Sequence, residues 1–500
     1  MVSSSATSVP SGAPAQFKRE LKLLDATMIV MGSMIGSGIF IVSADIARTM
    51  GSAGWLLAVW LVSGLMTVMA TLSYGEMASM FPQAGGQYVY LREAYSPLIG
   101  FLYGWTLFLV IQTGSIAAVG VAFAKFTSVL FPSLGEGNIL FEVGGLKVSA
   151  AQVLAIVSIA LLTWVNTRGI REGKLIQDSF TFTKTAALLG LILLGIFVAR
   201  NSQAIAANFG NFWNTSAAHF PSASPAAALG GIMLLAAFGT ASVGSLFACD
   251  AWNGVTFTAE ETVNPRRTVA KSLALGAGAV VVLYLLANLA YILVLPVAGS
   301  PDAPDVIGRG IQYATNDRVG TAAASMIFGG AAAAIMAVCI MISTFGCNNG
   351  MIFTGARVYF AMANDRLFFK KTGKLNRNAV PGVALVVQGI WACVLCLSGK
   401  YGDLLDYVIF ATLLFYILTI AGIFILRRKR PDVERPYKAF GYPLIPALYI
   451  LAAAAICVDL LIFTPKPAWI GLGIVLLGVP VYYAWKMMGT ATSRPPLTPP

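Results

Sequence analysis

Long apolar stretches separated by short polar segments dominate this chain and restrict what it can fold into. A helix needs about twenty apolar residues to cross the hydrocarbon core of a bilayer. Backbone N–H and C=O groups find no water there, so only helices and closed barrels can cross it. Barrel strands are about ten residues long and alternate in polarity. The stretches here are longer and do not alternate, which predicts an all-α polytopic membrane protein.

The charge content agrees with this interpretation. Only 11% of the residues are charged, whereas soluble domains carry about 25%, so lipid must cover much of the surface. The predicted spans are residues 25–48, 55–80, 98–130, 149–166, 179–199, 227–257, 271–297, 321–345, 381–398, 403–426, 443–463 and 467–486. We therefore expect a twelve-helix domain over residues 25–486, a disordered cytoplasmic tail over 1–24 and a second cytoplasmic tail over 487–500.

Lysine and arginine are distributed unevenly between the two sets of loops. With the N-terminus placed inside, 24 of the 33 basic residues fall in inside segments and 8 in outside segments. Cytoplasmic loops carry this excess in membrane proteins. The bias predicts a multi-pass protein of the cell membrane, plasma or inner, with both termini cytoplasmic. The net charge of +12 is thus explained by topology rather than by nucleic-acid binding.

The scarcity of histidine argues against an enzyme. His219 is the single histidine, and it lies in a predicted outside loop. Intramembrane metal sites and acid–base sites usually need histidine within the spans. The sequence also lacks the G-x-x-x-x-G-K-[ST] phosphate loop of ATP-driven pumps. We predict no catalytic site, no metal and no cofactor.

The first span contains a run of small residues near its middle, including Gly36, Ser37 and Gly38. Such a run weakens a helix. If the helix breaks, a second half beginning near Ile39 offers N–H groups and a positive dipole end to a carboxylate. The first half then ends near Met34, and its carbonyls suit an ammonium group. Close helix packing through small residues is the alternative, and the segment alone leaves both open.

The sixth span contains an acidic residue deep in the membrane. Asp250 lies ten residues before Glu260, which places it roughly 15 Å from the cytoplasmic loop. It either caps a broken helix or contacts a substrate amine or a coupling proton. Phe247 is either a lid over a site or ordinary core packing.

Breaks in spans one and six lie five spans apart, which is the spacing of an inverted repeat. On this basis, repeat one covers about residues 25–199 and repeat two about 227–426, with two further helices over 443–486.

Several motifs follow one another in order along the chain. They are Gly36-Ser37-Gly38-Ile39-Phe40, Tyr74-Gly75-Glu76, Gly85-Gly86-Gln87, Gln177-Asp178, Trp252-Asn253, Asn264-Pro265-Arg266 and Glu434-Arg435-Pro436. With these motifs the chain resembles the amino acid–polyamine–organocation superfamily over about residues 20–486. Within it, the chain is similar to the L-type amino acid transporter light chains and their bacterial relatives. The resemblance implies a LeuT-like fold, a five-plus-five inverted repeat with two further helices and with helices 1 and 6 broken.

The resemblance also implies an α-amino acid site at the two breaks. Ser37 and Gly38 would meet the carboxylate, the carbonyls of Met34 and Phe247 the amine, and Phe247 would be the lid. The implied residues are Met34, Ile35, Gly36, Ser37 and Gly38 at the first break, Phe247, Ala248, Cys249 and Asp250 at the sixth, and Val110, Ile111, Ser115, Val119 and Thr412 around the side chain. The light chains have Gly where Asp250 stands, whereas some bacterial relatives carry Asp.

Lys184 lies six residues past Asp178, roughly 9 Å into the membrane. A lysine there can extend toward the cytoplasm. The resemblance implies instead that Lys184 takes the place of a sodium ion, together with Ser33 and Ser343.

The predicted function is sodium-independent amino-acid transport as an antiporter or permease. The partners are then the amino acid and the bilayer, and the absence of cysteine in loop 131–148 implies no disulfide-linked heavy chain. An amino-acid sensor and a proton-coupled symporter are the alternatives.

Overall fold

The computed structural model describes residues 16–143, 146–220, 230–398 and 401–489, and most of them are helical. The helices are α1 (Leu23–Met34), α2 (Gly38–Ile41), α3 (Ser43–Met50), α4 (Ala53–Met80), α5 (Gln87–Ala94), α6 (Pro97–Thr106), α7 (Gln112–Leu130), α8 (Ala150–Arg168), α9 (Ile170–Phe197), α10 (Ser202–Gly210), α11 (Gly231–Ala248), α12 (Gly254–Phe257), α13 (Pro265–Val294), α14 (Val306–Arg309), α15 (Val319–Phe328), α16 (Ala332–Asn364), α17 (Gly382–Ser398), α18 (Tyr401–Lys429), α19 (Leu444–Phe463) and α20 (Pro465–Gly489). A π-helical turn, Leu107–Ile111, joins α6 to α7. Strands β1 (Ile139–Val143) and β2 (Leu146–Ser149) form an antiparallel pair between α7 and α8.

The number of membrane spans agrees with the prediction. Within the described residues, eleven helical segments are long and apolar enough to cross a membrane, and the shorter apolar helix Gly382–Leu397 lies where the ninth span is predicted. The all-α polytopic fold class is therefore confirmed, with the one small β-pair as an unpredicted addition. The predicted sixth span begins at 227, but residues 227–229 lie outside the described part.

Three predicted span boundaries are wrong at the end of the bundle where α1 begins. α9 begins at Ile170 rather than 179, α13 begins at Pro265 rather than 271, and α16 continues to Asn364 rather than ending near 345. Hydropathy falls at these ends because they carry polar residues, some of which are exposed and some of which are paired inside the bundle. Arg357 of α16, for example, is 1% exposed and bonded to Glu261. The helices therefore continue past the apolar stretches.

The predicted disordered tail over residues 1–24 also needs correction. Residues 16–22 precede α1 in an ordered path, and Leu21 is fully buried. Leu21 forms a parallel bridge with Thr262, and its N–H group donates to the Glu261 carbonyl at 3.0 Å. Burial of this leucine and its backbone bonds fix the segment against the loop after α12. Residues 1–15 and 490–500 lie outside the described residues.

Close packing of the spans sets the frame for the site. α1 packs against α9, α13 and α16, while α4 packs along α13. At Gly64 of α4, an added Cβ would lie 2.5 Å from a methyl of Val281, so only glycine allows this approach. The first span breaks between α1 and α2, and the sixth breaks between α11 and α12. The LeuT-like arrangement of the prediction is thus present.

Candidate functional site

The first break lies where the sequence predicts it. α1 ends at Met34 and α2 begins at Gly38. Ile35 is extended, with φ −74° and ψ 94°, and its N–H group makes the last helical bond, to Met31 at 2.9 Å. The predicted interruption between Met34 and Ile39 is confirmed.

Side chains from neighbouring helices satisfy the carbonyls that this break releases. Helix-end carbonyls need such partners when buried. The Lys184 ammonium group donates to the carbonyls of Gly32 and Ile35, and the Ser343 hydroxyl lies within bonding distance of those of Ile35 and Gly36. The Cys347 thiol donates to the Ser33 carbonyl, and the Tyr284 hydroxyl donates to the Met34 carbonyl. Five consecutive carbonyls are therefore held by α9, α13 and α16.

Lys184 makes the most extensive of these contacts. Its Nζ donates to the carbonyls of Gly32 at 2.6 Å, Ile35 at 2.7 Å and Ser343 at 3.3 Å. The side chain is 2% exposed, and no carboxylate lies within ion-pair distance of it among the described residues. Its ammonium group is bonded inside the bundle rather than extended into water, so the snorkelling interpretation does not hold in this conformation. The prediction placed Lys184 beside Ser33, and the bonded carbonyls of Gly32 and Ile35 lie on either side of Ser33 in the sequence.

The sixth break is longer than the first. α11 ends at Ala248 and α12 begins at Gly254. Ala251 takes the left-handed conformation, with φ +66°, which is uncommon for residues other than glycine. The N–H group of Cys249 donates to the Ser245 carbonyl at 2.9 Å, and that of Asp250 donates to the Phe247 carbonyl at 3.1 Å. This carbonyl was expected to meet an amine.

The two breaks are in direct contact. A Cβ added at Gly38 would lie 2.7 Å from the Cβ of Ala248, so the approach requires glycine. Tyr284 of α13 bridges them, because its hydroxyl lies 2.9 Å from the Met34 carbonyl and 3.2 Å from the Ala248 carbonyl. One hydroxyl hydrogen is shared between these two acceptors.

Sequence reasoning missed Tyr284. A signal was present, because Tyr284, Asn288 and Tyr291 recur on one face of an otherwise apolar span. All three are buried, and Tyr291 donates to the Ile39 carbonyl at 3.3 Å. This face of α13 follows the first span through its break.

Asp250 lies at the centre of the side-chain part of the site. The Tyr416 hydroxyl donates to its Oδ1 at 2.5 Å, and no cationic side chain pairs with it among the described residues. Two cavities of about 20 Å³ adjoin it, each large enough for one water. Their lining includes Cys249, Trp252, Thr412 and Tyr449 for one, and Ile111, Gln112, Ser115, Asn253 and Thr412 for the other.

The structure thus brings some of the predicted side-chain residues together and leaves others apart. Ile111, Ser115, Thr412 and Cys249 share cavities with Asp250. The π-helical turn ends at Ile111, and Ser115 donates back to the Ile111 carbonyl at 2.6 Å. Val110, Val119 and Phe247 line neither small cavity.

A larger cavity opens at the end of the bundle opposite the start of α1. Its volume is about 880 Å³, and it reaches residues just past the first break, including Val42. Its charged lining residues are Asp45, Arg48, Lys125, Glu136, Lys147 and Asp317. Arg48 bonds Asp317 at 2.6 Å.

Ion pairs and aromatic rings close the other end. Arg357 donates to both carboxylate oxygens of Glu261, at 3.0 and 2.9 Å, and both side chains are almost fully buried. Burial raises the pKa of the Glu261 carboxyl above its usual value, although Arg357 opposes the shift. Trp252 packs edge-on against Tyr74, with ring centroids 4.8 Å apart. These contacts fill the end of the bundle where α1 begins, whereas the large cavity lies at the opposite end.

Comparisons with known proteins agree with this architecture. The family model described as "Amino acid permease" matches residues 21–489. The human "Large neutral amino acids transporter small subunit 2" is 31% identical over 479 residues, covering 94% of this chain and 81% of the relative.

Two further relatives are similar over comparable lengths. The human "Asc-type amino acid transporter 1" is 31% identical over 476 residues, with 93% of this chain and 82% of the relative covered. The mouse "b(0,+)-type amino acid transporter 1" is 29% identical over 459 residues, with 90% and 84% covered. The match spans every membrane helix and both breaks, and the chain belongs to the amino acid permease family.

Proposed function

We propose that this protein transports α-amino acids by alternating access and binds them where the two broken spans meet. Three features support the proposal. The start of α2 at Ser37 and Gly38 presents helix N-terminal groups suited to a carboxylate. The carbonyls of Met34 and Phe247 lie at the ends of the other half-helices, and each can accept a second hydrogen bond. The similar proteins above are named as amino-acid transporters.

We further propose that transport is independent of sodium. The observation that carries this proposal is the position of the Lys184 ammonium group among the carbonyls of Gly32, Ile35 and Ser343. Backbone carbonyls of unwound helices coordinate sodium in transporters of this architecture. A buried ammonium that already bonds three such oxygens leaves no room for a second cation.

The charge distribution supports an orientation with both termini cytoplasmic in the plasma or inner membrane. In this orientation the cavity of about 880 Å³ opens to the outside, and the Glu261–Arg357 pair closes the cytoplasmic side. Cysteine is absent from loop 131–148, so we propose that no heavy chain is attached there by a disulfide.

Asp250 supports a second candidate, proton-coupled symport. Its carboxylate is partly buried and accepts a hydrogen bond from the Tyr416 hydroxyl, and no cationic side chain pairs with it in the described part. Such a group either receives the substrate amine or takes up a proton during the cycle. The two roles differ in their dependence on pH.

Uptake of labelled amino acids into proteoliposomes tests these proposals. We expect uptake that is unchanged when external sodium is replaced by choline and that rises when unlabelled amino acid is loaded inside. Binding without uptake would indicate a sensor instead. Uptake driven by an inward proton gradient, without internal amino acid, would favour the symporter, and uptake that requires sodium would contradict the assignment of Lys184.

A further inference from the structure

A second cavity lies at the end of the bundle where α1 begins, outside the site described above. Its volume is about 540 Å³. Its lining residues are Arg19, Pro82, Asn264, Pro265, Arg266 and Arg267. The cavity therefore lies between the segment before α1, the end of α4 and the start of α13, and half of its lining residues are arginines.

The backbone around this cavity is well fixed. The N–H groups of Glu20 and Leu21 both donate to the Glu261 carbonyl at 3.0 Å, which holds the neighbouring Arg19 in place. Arg266 and Arg267 occupy the first turn of α13, directly after Pro265. The positive end of this long helix adds to the charge of the three side chains.

Most of this positive charge is not neutralised by the protein. Among the described residues, Arg19 and Arg267 have no carboxylate within ion-pair distance. Arg266 pairs with Glu434 at 2.7 Å, but the two side chains are 54% and 74% exposed. Exposed pairs of this kind contribute little, so an incoming anion can compete for Arg266.

The outer face of α13 continues from the cavity along the membrane. Arg267 and Lys271 are exposed one turn apart, followed on the same face by Leu275 and Val282, which are 56% and 55% exposed. This face begins with two cations at the membrane surface and becomes apolar where the bilayer core starts. A phospholipid has the same sequence of groups, from its anionic headgroup to its acyl chains.

We propose that this cavity binds the phosphate headgroup of an anionic phospholipid, with an acyl chain along Leu275 and Val282. Basic pockets beside membrane helices commonly bind such headgroups. The proposal rests on the membrane-spanning fold and not on the identity of the transported substrate.

Native mass spectrometry of the purified full-length protein tests this site. The protein is titrated in detergent with phosphatidylglycerol and, in parallel, with zwitterionic phosphatidylcholine of the same chains. The test variant is Arg19→Gln/Arg266→Gln/Arg267→Gln. The matched control, Lys370→Gln/Lys371→Gln/Lys374→Gln, removes the same charge from exposed residues in the loop after α16. We expect phosphatidylglycerol to bind the test variant roughly a hundredfold more weakly, with the control unchanged.

Two further arms use the wild-type protein alone, so the proposal stays testable if the triple variant folds poorly. Raised salt should weaken phosphatidylglycerol binding, and glycerol phosphate should not displace the lipid. Equal binding of phosphatidylcholine, or equal losses in the test and control variants, would overturn the proposal. Full displacement by glycerol phosphate would also overturn it, because the cavity would then be a site for soluble phosphates.

Discussion

The Nζ atom of Lys184 lies 2.7 Å from the carbonyl oxygen of Ile35, the first residue of the unwound segment. The same Nζ bonds Gly32, one turn earlier, and Ser343 on α16. A single ammonium group therefore joins the end of α1 to a neighbouring helix. A change in the angle of α1 must break or lengthen these bonds, so Lys184 connects the geometry of the binding site to the packing of the bundle.

Replacing this lysine should severely slow transport. Lys184→Ala removes the donor to the buried Gly32 carbonyl, at a cost of about 1–3 kcal/mol, while the Ile35 carbonyl keeps only its bond from Ser343. We expect amino-acid exchange in proteoliposomes to fall about tenfold or more, while Lys371→Ala, an exposed lysine, leaves it unchanged. Near-normal exchange by Lys184→Ala would mean that the hydrogen bonds of Lys184 are not needed for transport.

A side chain at Gly38 should weaken substrate binding. Its Cβ would lie 2.7 Å from the Cβ of Ala248, so Gly38→Val separates the breaks and crowds the proposed carboxylate position. We expect the apparent affinity to fall, as measured by the concentration dependence of uptake. The double variant Gly38→Ala/Ala248→Gly should recover part of the loss that Gly38→Ala alone causes. Wild-type affinity in Gly38→Val would contradict the carboxylate assignment.

Phe247 is partly buried and lies outside both small cavities in the described conformation. A lid has to move over the substrate, so its position here is compatible with that role. We expect Phe247→Ala to lower the transport rate strongly while the protein elutes normally in size-exclusion chromatography. Phe247→Trp, which keeps an aromatic ring, should retain more activity. Equal rates in the wild type and Phe247→Ala would remove Phe247 from the mechanism.

The variant Asp250→Asn should distinguish recognition of the substrate amine from proton coupling. Asp250→Asn keeps the shape and can still accept the Tyr416 hydrogen bond, but it removes the negative charge. If Asp250 receives the amine, the apparent affinity falls at every pH. If it carries a coupling proton, wild-type uptake changes between about pH 5 and pH 8 and this dependence is lost in Asp250→Asn. Flat wild-type uptake over that range, together with unchanged affinity in Asp250→Asn, would exclude both roles.

Much of the fold could be predicted because lipid imposes a simple rule on the sequence. Apolar length indicated the spans, and the small residues around Ser37 indicated the first break. The same rule failed at the ends of α9, α13 and α16, where polar residues continue the helix. Hydropathy alone would assign Arg357 to a loop, but its partner Glu261 lies 96 positions earlier in the chain. No local pattern contains such a partner.

The site could be predicted only in part for a similar reason. Lys184 was identifiable because a charge within an apolar span is unusual. Tyr284 gives a weaker signal, the recurrence with Asn288 and Tyr291 on one face of its span, because a tyrosine ring by itself suits an apolar helix. The role of the Tyr284 hydroxyl depends on how α13 packs against two other spans. The sequence of α13 alone does not determine that packing.

The last prediction concerns Tyr284, whose hydroxyl bonds the Met34 and Ala248 carbonyls. Tyr284→Phe keeps the ring and removes this bridge, so the two breaks lose their shared donor. We expect weaker apparent affinity and slower exchange in proteoliposomes, with the fold retained. The matched control is Tyr359→Phe, because the Tyr359 hydroxyl is buried and has no hydrogen-bond partner among the described residues. If both variants transport equally well, Tyr284 acts only by packing and the bridge has no part in transport.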